Sequence, residues 1–477
     1  MVSEEMVSRD LSFPAGMRGD HALIIPFTTS GHFIPLLDLT RHLVLRGLTV
    51  TVVATSDTLP LLSPLISDHP SSVKALVLPL CLEATSGWND LTSCTRTAIR
   101  DLGTLHGPIR DWIAGHHSPP SVIISDMFSG WAHRLAQEVG IKSILFSPSG
   151  AMALSVIFSL WRDMPRPPPA DMEDTAFAFP EIPNQPEYPW WQLSGLFRAH
   201  REGDPVSEFI KEAFLANIQS WGVVVNSFSE LEGAYIDHLM KMVGHGRVWA
   251  VGPLLPVEPI VSSGQRGGIS SILVEDLVSW LDSCGDRTVL YVCFGSQARL
   301  AEEQTAALAS ALEKSGVNFV WVVREDQPTK VALESFKDRV AGRGLVIRGW
   351  APQLPILNHP AVDAFLTHCG WNSIMEALVA GVPMLAWPMG ADQFVNATLI
   401  ADQLKVARRV SEGASAIPDS DKLARAIREF INWEDCPERV RADVMRRAAA
   451  DTMGHGGSSS ENFDKMVKHA RNKSYIL

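Results

Sequence analysis

Residues 21–55 read HALIIPFTTSGHFIPLLDLTRHLVLRGLTVTVVAT, two short apolar runs on either side of a helical stretch. HALIIPF and LTVTVVAT are continuous in apolar and β-branched residues, as strands buried on both faces are. Between them, FIPLLDLTRHLVLRG sets Leu36, Leu39 and Leu43 at i, i+3 and i+7, one side of a helix that Gly47 ends. Strand, helix and strand in that order form the unit of a parallel sheet with crossover helices. The pattern continues outward through KALVLPL, SVIISDM, KSILFSP and GVVVNSF. It resumes in the second half with TVLYVCFGS, FVWVVRE, LVIRGW, DAFLTHCG and VPMLAWP, and with helices over EEQTAALASALEKSG, NSIMEALVAG and LARAIREFI. The expected fold class is α/β, with two Rossmann-like domains facing a cleft at the carboxyl ends of their strands. No G-x-G-x-x-G follows the first strand; GHFIP stands there instead, which argues against a dinucleotide-dependent oxidoreductase.

A chain of 477 residues is too long for one ordinary core. Between the two series of strands lies PVEPIVSSGQRGGISS, rich in Pro, Gly and Ser and without periodicity, which reads as an exposed linker. The expected division is an N-terminal domain over 1–256, a linker over 257–270 and a C-terminal domain over 271–455. A helix over 456–477 is expected to return to the N-terminal domain. Residues 164–191 carry prolines that disfavour regular structure and aromatics that can cover a pocket. A hydrophobic content of 46% with 20% charged residues fits a packed globular enzyme. The net charge of −12 argues against a nucleic-acid partner, which calls for a basic face. Cys81, Cys94, Cys284, Cys293, Cys369 and Cys436 are scattered without a C-x-x-C pair, as reduced thiols of a cytoplasmic protein are. The opening MVSEEMVSRDLSFPAGMRGD does not read as a signal peptide, and no apolar run reaches the roughly 18 residues of a membrane span.

Residues 350–393 carry the chemistry: WAPQLPILNHPAVDAFLTHCGWNSIMEALVAGVPMLAWPMGADQ. A strand ends in FLTHCG and a helix begins near Trp371, so Asn372 and Ser373 stand at a helix N-terminus, where free N–H groups and the dipole favour a diphosphate. His368, just before the turn, can add a hydrogen bond or partial positive charge. Glu376, one turn on, suits the vicinal hydroxyls of a ribose. Against this, Ser373-Ile-Met-Glu376 is also a capping-box pattern, and Trp350, Trp371 and Trp387 could be core. In Phe294-Gly295-Ser296-Gln297, Gly295 permits close backbone approach and Ser296 could reach a phosphate oxygen, or the segment is a plain strand-to-helix turn.

His32 opens the first helix at the carboxyl edge of the sheet, and a histidine there can act as a general base or simply start a helix. Asp126 ends a second strand, where it can orient that histidine or cap the helix in GWAHRLAQEVG. Asp419-Ser-Asp421 has the form of a metal-binding Asp-x-Asp, but it opens KLARAIREF, and helix capping explains it better.

Across its whole length the 350–393 box, with W-A-P-Q, T-H-C-G-W-N-S and the final D-Q, resembles the signature box of the plant secondary-product glycosyltransferases, which use UDP-sugars. The resemblance implies the GT-B fold and inverting sugar transfer, with no cofactor beyond the UDP-sugar co-substrate; because a helix N-terminus and His368 already serve the diphosphate, no metal is expected. It implies that Trp350 stacks on uracil, with the Ala351 backbone and Gln353 near the base and ribose. Glu376 then grips the ribose hydroxyls. Ser296, His368, Asn372 and Ser373 hold the diphosphate, and Trp371, Asp392 and Gln393 meet the sugar. In the family, G-H-x-x-P carries the catalytic base, matched by Gly31, His32 and Pro35, and Asp126 matches its partner carboxylate. The sequence departs from the family at Thr28, Thr29 and Ser30, where P-A-Q is commoner, at Asp363, where Gly is usual, and at Pro355.

Gln393 resembles the glucose-using members, so UDP-glucose is the expected donor. The acceptor implied is a small phenol such as a flavonoid or hydroxybenzoate. UDP-rhamnose-dependent transfer to a flavonol, or C-glycosylation of a flavonoid, is the alternative, because the wider resemblance is to a branch holding both flavonol or hydroxybenzoate glucosyltransferases and flavonol 7-O-rhamnosyltransferases. Phe33, Met127, Phe128, Pro148, Ser149, Trp190 and Trp191 are candidates for an apolar wall against a flat ring. A monomer is expected. A non-catalytic UDP-sugar sensor would keep the box yet need neither His32 nor Asp126.

Overall fold

The computed structural model describes residues 20–80, 91–169, 171–256, 266–325, 330–432 and 435–471. The opening segment read for a leader, Cys81 and residues 257–265 of the linker lie outside these.

The strands in chain order are β1 (His21–Ile25), β2 (Thr49–Ala54), β3 (Val73–Val77), β4 (Val122–Asp126), β5 (Lys142–Ser147), β6 (Ala176–Ala178), β7 (Glu187–Pro189), β8 (Gly222–Val225) and β9 (Val248–Ala250). The second half supplies β10 (Val289–Cys293), β11 (Asn318–Val323), β12 (Gly344–Arg348), β13 (Val362–Thr367), β14 (Met384–Ala386) and β15 (Ala407–Arg409). Seven strands form one sheet in the order β3-β2-β1-β4-β5-β8-β9, and six form a second in the order β12-β11-β10-β13-β14-β15. Both are parallel; His21 stands opposite Thr49, and Phe365 opposite Met384. Every residue of β1, β2, β4 and β5 is buried, because helices cover both faces of the sheet.

In the first sheet the strand order reverses between β1 and β4, and in the second between β10 and β13. A crevice opens at such a reversal, outside the carboxyl ends of the strands. β4 ends at Asp126 and His32 lies in the first turn of the helix that follows β1, while the loops leaving β10 and β13 carry Ser296 and His368. Each sheet's topology therefore brings two of these four residues to the carboxyl edge at its own reversal.

The first crossover helix, Ser30–Leu45, buries Leu36, Leu39 and Leu43 under the sheet, as its spacing requires. Residues 164–191 are more regular than their prolines suggest. β6 and β7 pair antiparallel as a small hairpin with Phe177 opposite Tyr188, and Pro189 is tolerated because a two-stranded ribbon leaves its missing N–H at an edge. The last described helix, Ser458–Arg471, crosses back to the first sheet, where Phe463, Met466, Val467 and Ala470 join the cluster of Leu36, Leu39 and Leu43. Arg46 bonds Asp464 at 2.7 Å and Lys142 Nζ donates to the His469 carbonyl at 2.6 Å along the same seam. No helix among the described residues is long and apolar enough to cross a membrane.

Candidate active site

A cleft of about 1640 Å³ runs between the two sheets and is lined from both. On its first-domain side, His32 Nδ1 lies 2.9 Å from Asp126 Oδ2 and 3.0 Å from Oδ1. A carboxylate only accepts, so Nδ1 carries the proton and the lone pair is left on Nε2. The imidazole is stacked on Phe128 at 4.6 Å and meets the edge of Phe27 at 5.3 Å, which fixes its plane. Asp126 is fully buried, and its Oδ1 also accepts from the Phe128 N–H at 2.9 Å. The capping role expected as an alternative is therefore real but belongs to the short turn Met127–Ser129, while Gly130 precedes the helix Trp131–Glu138. One carboxylate serves both the turn and the histidine.

On the second-domain side, the helix Trp371–Ala380 starts after Gly370 with no side-chain cap. The capping-box reading of Ser373 and Glu376 fails because Ser373 is already the third helical residue. Instead, Gln353 Nε2 donates to Ser373 Oγ at 3.1 Å and to Glu376 Oε2 at 2.7 Å, and the Tyr291 hydroxyl donates to Gln353 Oε1 at 3.1 Å. Gln353 thus sets Glu376 as much as it faces a ligand. Trp350 and Ala351 line the cleft beside them.

The turn at Ser296 begins with Gly295 at φ +73°, and a Cβ there would stand 2.6 Å from His368 Nε2. The backbone approach expected of Gly295 is real, but its neighbour is the His368 ring. Burial pushes His368 down to about 4, so at neutral pH it offers a hydrogen bond and not the partial positive charge considered from sequence. Ser296, His368, Asn372 and Ser373 all line the cleft at the helix N-terminus.

Four residues of the box reach across to the first domain or back into their own loop. Asn372 Nδ2 donates to the Gly31 carbonyl at 2.9 Å, tying the helix Trp371–Ala380 to the first turn of the helix that holds His32. Ser149 Oγ donates to Asp392 Oδ2 at 2.7 Å. Gln393 Oε1 accepts from the Met389 and Gly390 N–H groups at 2.9 and 3.1 Å. The indole of Trp371 is buried, donates to the Asn226 carbonyl at 2.6 Å and leaves no room for a Cβ at Gly150, so its ring seals the domain contact. Trp387 is core, packed edge-on against Phe294. Asp363 pairs with Arg439 away from the cleft, and Pro355 lies within the short helix Gln353–Leu357.

Of the proposed apolar wall, Met127, Phe128, Pro148, Ser149 and Trp191 line the cleft. Phe33 and Trp190 do not: Phe33 faces the core under the sheet, and Trp190 packs on Phe177 and Phe197. The wall is completed by Val156, Ile157, Leu160, Leu196 and Phe214, which apolar helix patterns could not separate from ordinary core.

Residues at the end of the linker also enter the site. Arg266 reaches Asp38 and Glu376, and a Cβ on Gly267 would stand 2.7 Å from the Trp350 ring. The exposed-linker reading therefore fails for Arg266 and Gly267, while Ile269 is 88% exposed. Neither Arg266 nor Asp38 carried any local signal of a site.

Residues 229–442 match the family described as UDP-glucoronosyl and UDP-glucosyl transferase. The chain is 50% identical to UDP-glycosyltransferase 89B2 of Stevia rebaudiana over 94% of its own length and 97% of the relative's. It is 47% identical to the flavonol 3-O-glucosyltransferase UGT89B1 of Arabidopsis thaliana, covering 94% of this chain and 96% of that one. Among solved structures, Arabidopsis thaliana UGT89C1 complexed with UDP-L-rhamnose superposes with a TM-score of 0.78 at 38% identity, covering 95% of this chain and 99% of that one; the same protein has also been solved with quercetin.

Proposed function

Because the chain belongs to the family of UDP-glucoronosyl and UDP-glucosyl transferases, we propose that it moves glucose from UDP-glucose to a hydroxyl of a flavonoid or another small phenol, inverting the anomeric carbon. The observation that carries this reading is the His32–Asp126 pair facing, across one cleft, the helix N-terminus at Asn372 and Ser373. Nε2 of His32 takes the proton of the acceptor hydroxyl as its oxygen bonds to the anomeric carbon, and the bond from that carbon to the UDP oxygen breaks on the opposite face. Asp126 balances the imidazolium that forms. Ser296, His368, Asn372 and Ser373 supply donors to the leaving diphosphate. Trp350 stacks on the base, Ala351 and Gln353 flank base and ribose, and Glu376 takes the ribose hydroxyls. Asp392 and Gln393 take the sugar hydroxyls, with the backbone of Trp371 alongside. A sensor would have no use for a buried carboxylate aimed at His32, which favours an enzyme.

The flavonol 3-O-glucosyltransferase at 47% identity supports glucose, a phenolic acceptor and attack through oxygen. The UDP-L-rhamnose complex at 38% identity supports the second reading, a rhamnosyltransferase. No divalent ion is invoked, because the helix N-terminus and its neighbours already meet the diphosphate charge. A monomer in the cytoplasm fits a site supplied by one chain and thiols at Cys284, Cys293, Cys369 and Cys436 that form no disulfide. The test is a mass-spectrometric screen of UDP-glucose and UDP-rhamnose against a mixed phenolic panel. Hexose adducts on a flavonoid are expected. Deoxyhexose adducts alone would move the assignment to rhamnose, and no adduct from either donor would leave a binding protein.

A further inference from the structure

Arg266 stands between the domains with two carboxylates on it. Its Nη2 lies 2.7 Å and its Nε 3.1 Å from Asp38 Oδ2, and its Nη1 bonds Glu376 Oε1. Asp38 belongs to the first-domain helix Ser30–Leu45, and Glu376 to the second-domain helix Trp371–Ala380. The side chains of Arg266, Asp38 and Glu376 are 15%, 8% and 5% exposed, so the charges are largely cut off from water and depend on one another. Burial disfavours the Arg266 charge, but Asp38 and Glu376 outweigh it and hold the guanidinium above its ordinary range; burial pushes Asp38 up against the pull of Arg266.

Glu376 is thereby held at both oxygens, Oε1 by Arg266 and Oε2 by Gln353 at 2.7 Å. Each carboxylate oxygen has a second acceptor position, so two remain for a pair of vicinal hydroxyls. A guanidinium's fixed fork can hold two carboxylates at a set angle, which an ammonium on a flexible stem cannot do.

We propose that Arg266 is a positioning residue for the nucleotide sugar, joining Asp38 of one domain to Glu376 of the other so that Glu376 is aimed at the ribose and donor affinity depends on a residue of the acceptor domain. The proposal rests on the reading of Glu376 as the ribose carboxylate. It assigns to Asp38, which is absent from the cleft lining, an influence on donor binding that a direct contact could not give it.

The experiment titrates UDP calorimetrically into the full-length protein and measures the donor KM and kcat with UDP-glucose and quercetin. The variants are Arg266→Met, Asp38→Asn, the two combined, and Glu376→Gln. Arg266→Met should weaken UDP about tenfold and raise the donor KM alike, with kcat within about threefold of the native value, as the loss of an outer partner that orients a ligand-holding side chain does. Asp38→Asn should weaken UDP about threefold, and the combined variant should match Arg266→Met alone, since both changes break one linkage. The combined variant leaves no unpaired Asp38 and so serves if Arg266→Met alone does not fold. Unchanged UDP affinity in Arg266→Met or in the combined variant would overturn the proposal, as would losses that multiply. Glu376→Gln separates the two readings. If it weakens UDP while Arg266→Met does not, only the role of Arg266 falls; if it leaves UDP affinity intact, the ribose reading falls and takes this one with it.

Discussion

At His32 the two ring nitrogens have different surroundings. Nδ1 is committed to a fully buried carboxylate at 2.9 Å, which leaves Nε2 as the basic atom toward the cleft. His32→Ala should lower turnover by about 10²–10⁴-fold, the range for loss of a general base, while UDP affinity measured by calorimetry stays close to native. Asp126→Asn keeps the shape and one acceptor but loses the charge, so turnover should fall less than in His32→Ala. A His32→Ala enzyme that kept most of its turnover with a phenolic acceptor would sink the assignment. The place of His32 was legible because a histidine directly after a first strand can only stand at the sheet's carboxyl edge. Which way a side chain turns from such a place was not legible. Trp371 sends its indole to Asn226 of the other domain, and Gln393 folds back on Met389 and Gly390. Arg266 was invisible because its partners lie 228 and 110 positions away, and nothing local marks a residue whose role is set by two distant carboxylates.

Elements carry two further predictions. His21 on β1 and His42 on the first crossover helix are both pushed down to about 4 by burial, from an ordinary value near 6.5. The folded chain keeps both neutral while the unfolded chain takes up protons below about pH 6.5, so stability rises with pH between about 4 and 6.5 and is lost on acidification through that window. At pH 5 each should cost about 2 kcal/mol relative to pH 7. The urea midpoint should therefore drop between pH 7 and pH 5, and His42→Gln should flatten the slope; a native midpoint unchanged over that range would refute the account. The second concerns the helix Ser420–Asn432. Asp419 Oδ1 accepts from the N–H groups of Asp421 and Lys422 at 2.9 and 3.0 Å, and Asp421 pairs with Lys314 at 2.8 Å. The Asp-x-Asp pattern is thus taken up by capping, and it lies outside the cleft. Exhaustive EDTA treatment should leave the transfer rate unchanged, and a loss restored by added magnesium or manganese would overturn the metal-free mechanism. At this scale the strands and helices were legible from apolar runs and 3.6-residue spacing. The β6–β7 hairpin was not, because the three-residue strands are too short for a period to show.

For the molecule as a whole, the two sheets followed from the repeated strand–helix alternation, but what locks them together did not. Asn372 meets Gly31, Ser149 meets Asp392 and Trp371 meets Asn226, each a bond between residues more than a hundred positions apart. The helix Ser458–Arg471 adds a covalent return, since the chain leaves the second sheet to finish against the first. Phe463 is 1% exposed there, with its ring 5.5 Å from His42 and the Arg46 guanidinium 4.2 Å above it. Truncating such a ring to Ala costs about 3–5 kcal/mol, a large share of the roughly 5–15 kcal/mol that holds a domain folded. Phe463→Ala should therefore lower the urea midpoint and speed chymotrypsin cleavage within the first domain. It should do so without weakening UDP comparably, because no residue of the helix lines the cleft. The same variant lets water reach His42, so its midpoint should also depend less on pH between 7 and 5 than that of the native chain. A native midpoint in Phe463→Ala would mean that the last helix merely rests on the first domain and contributes nothing to holding it.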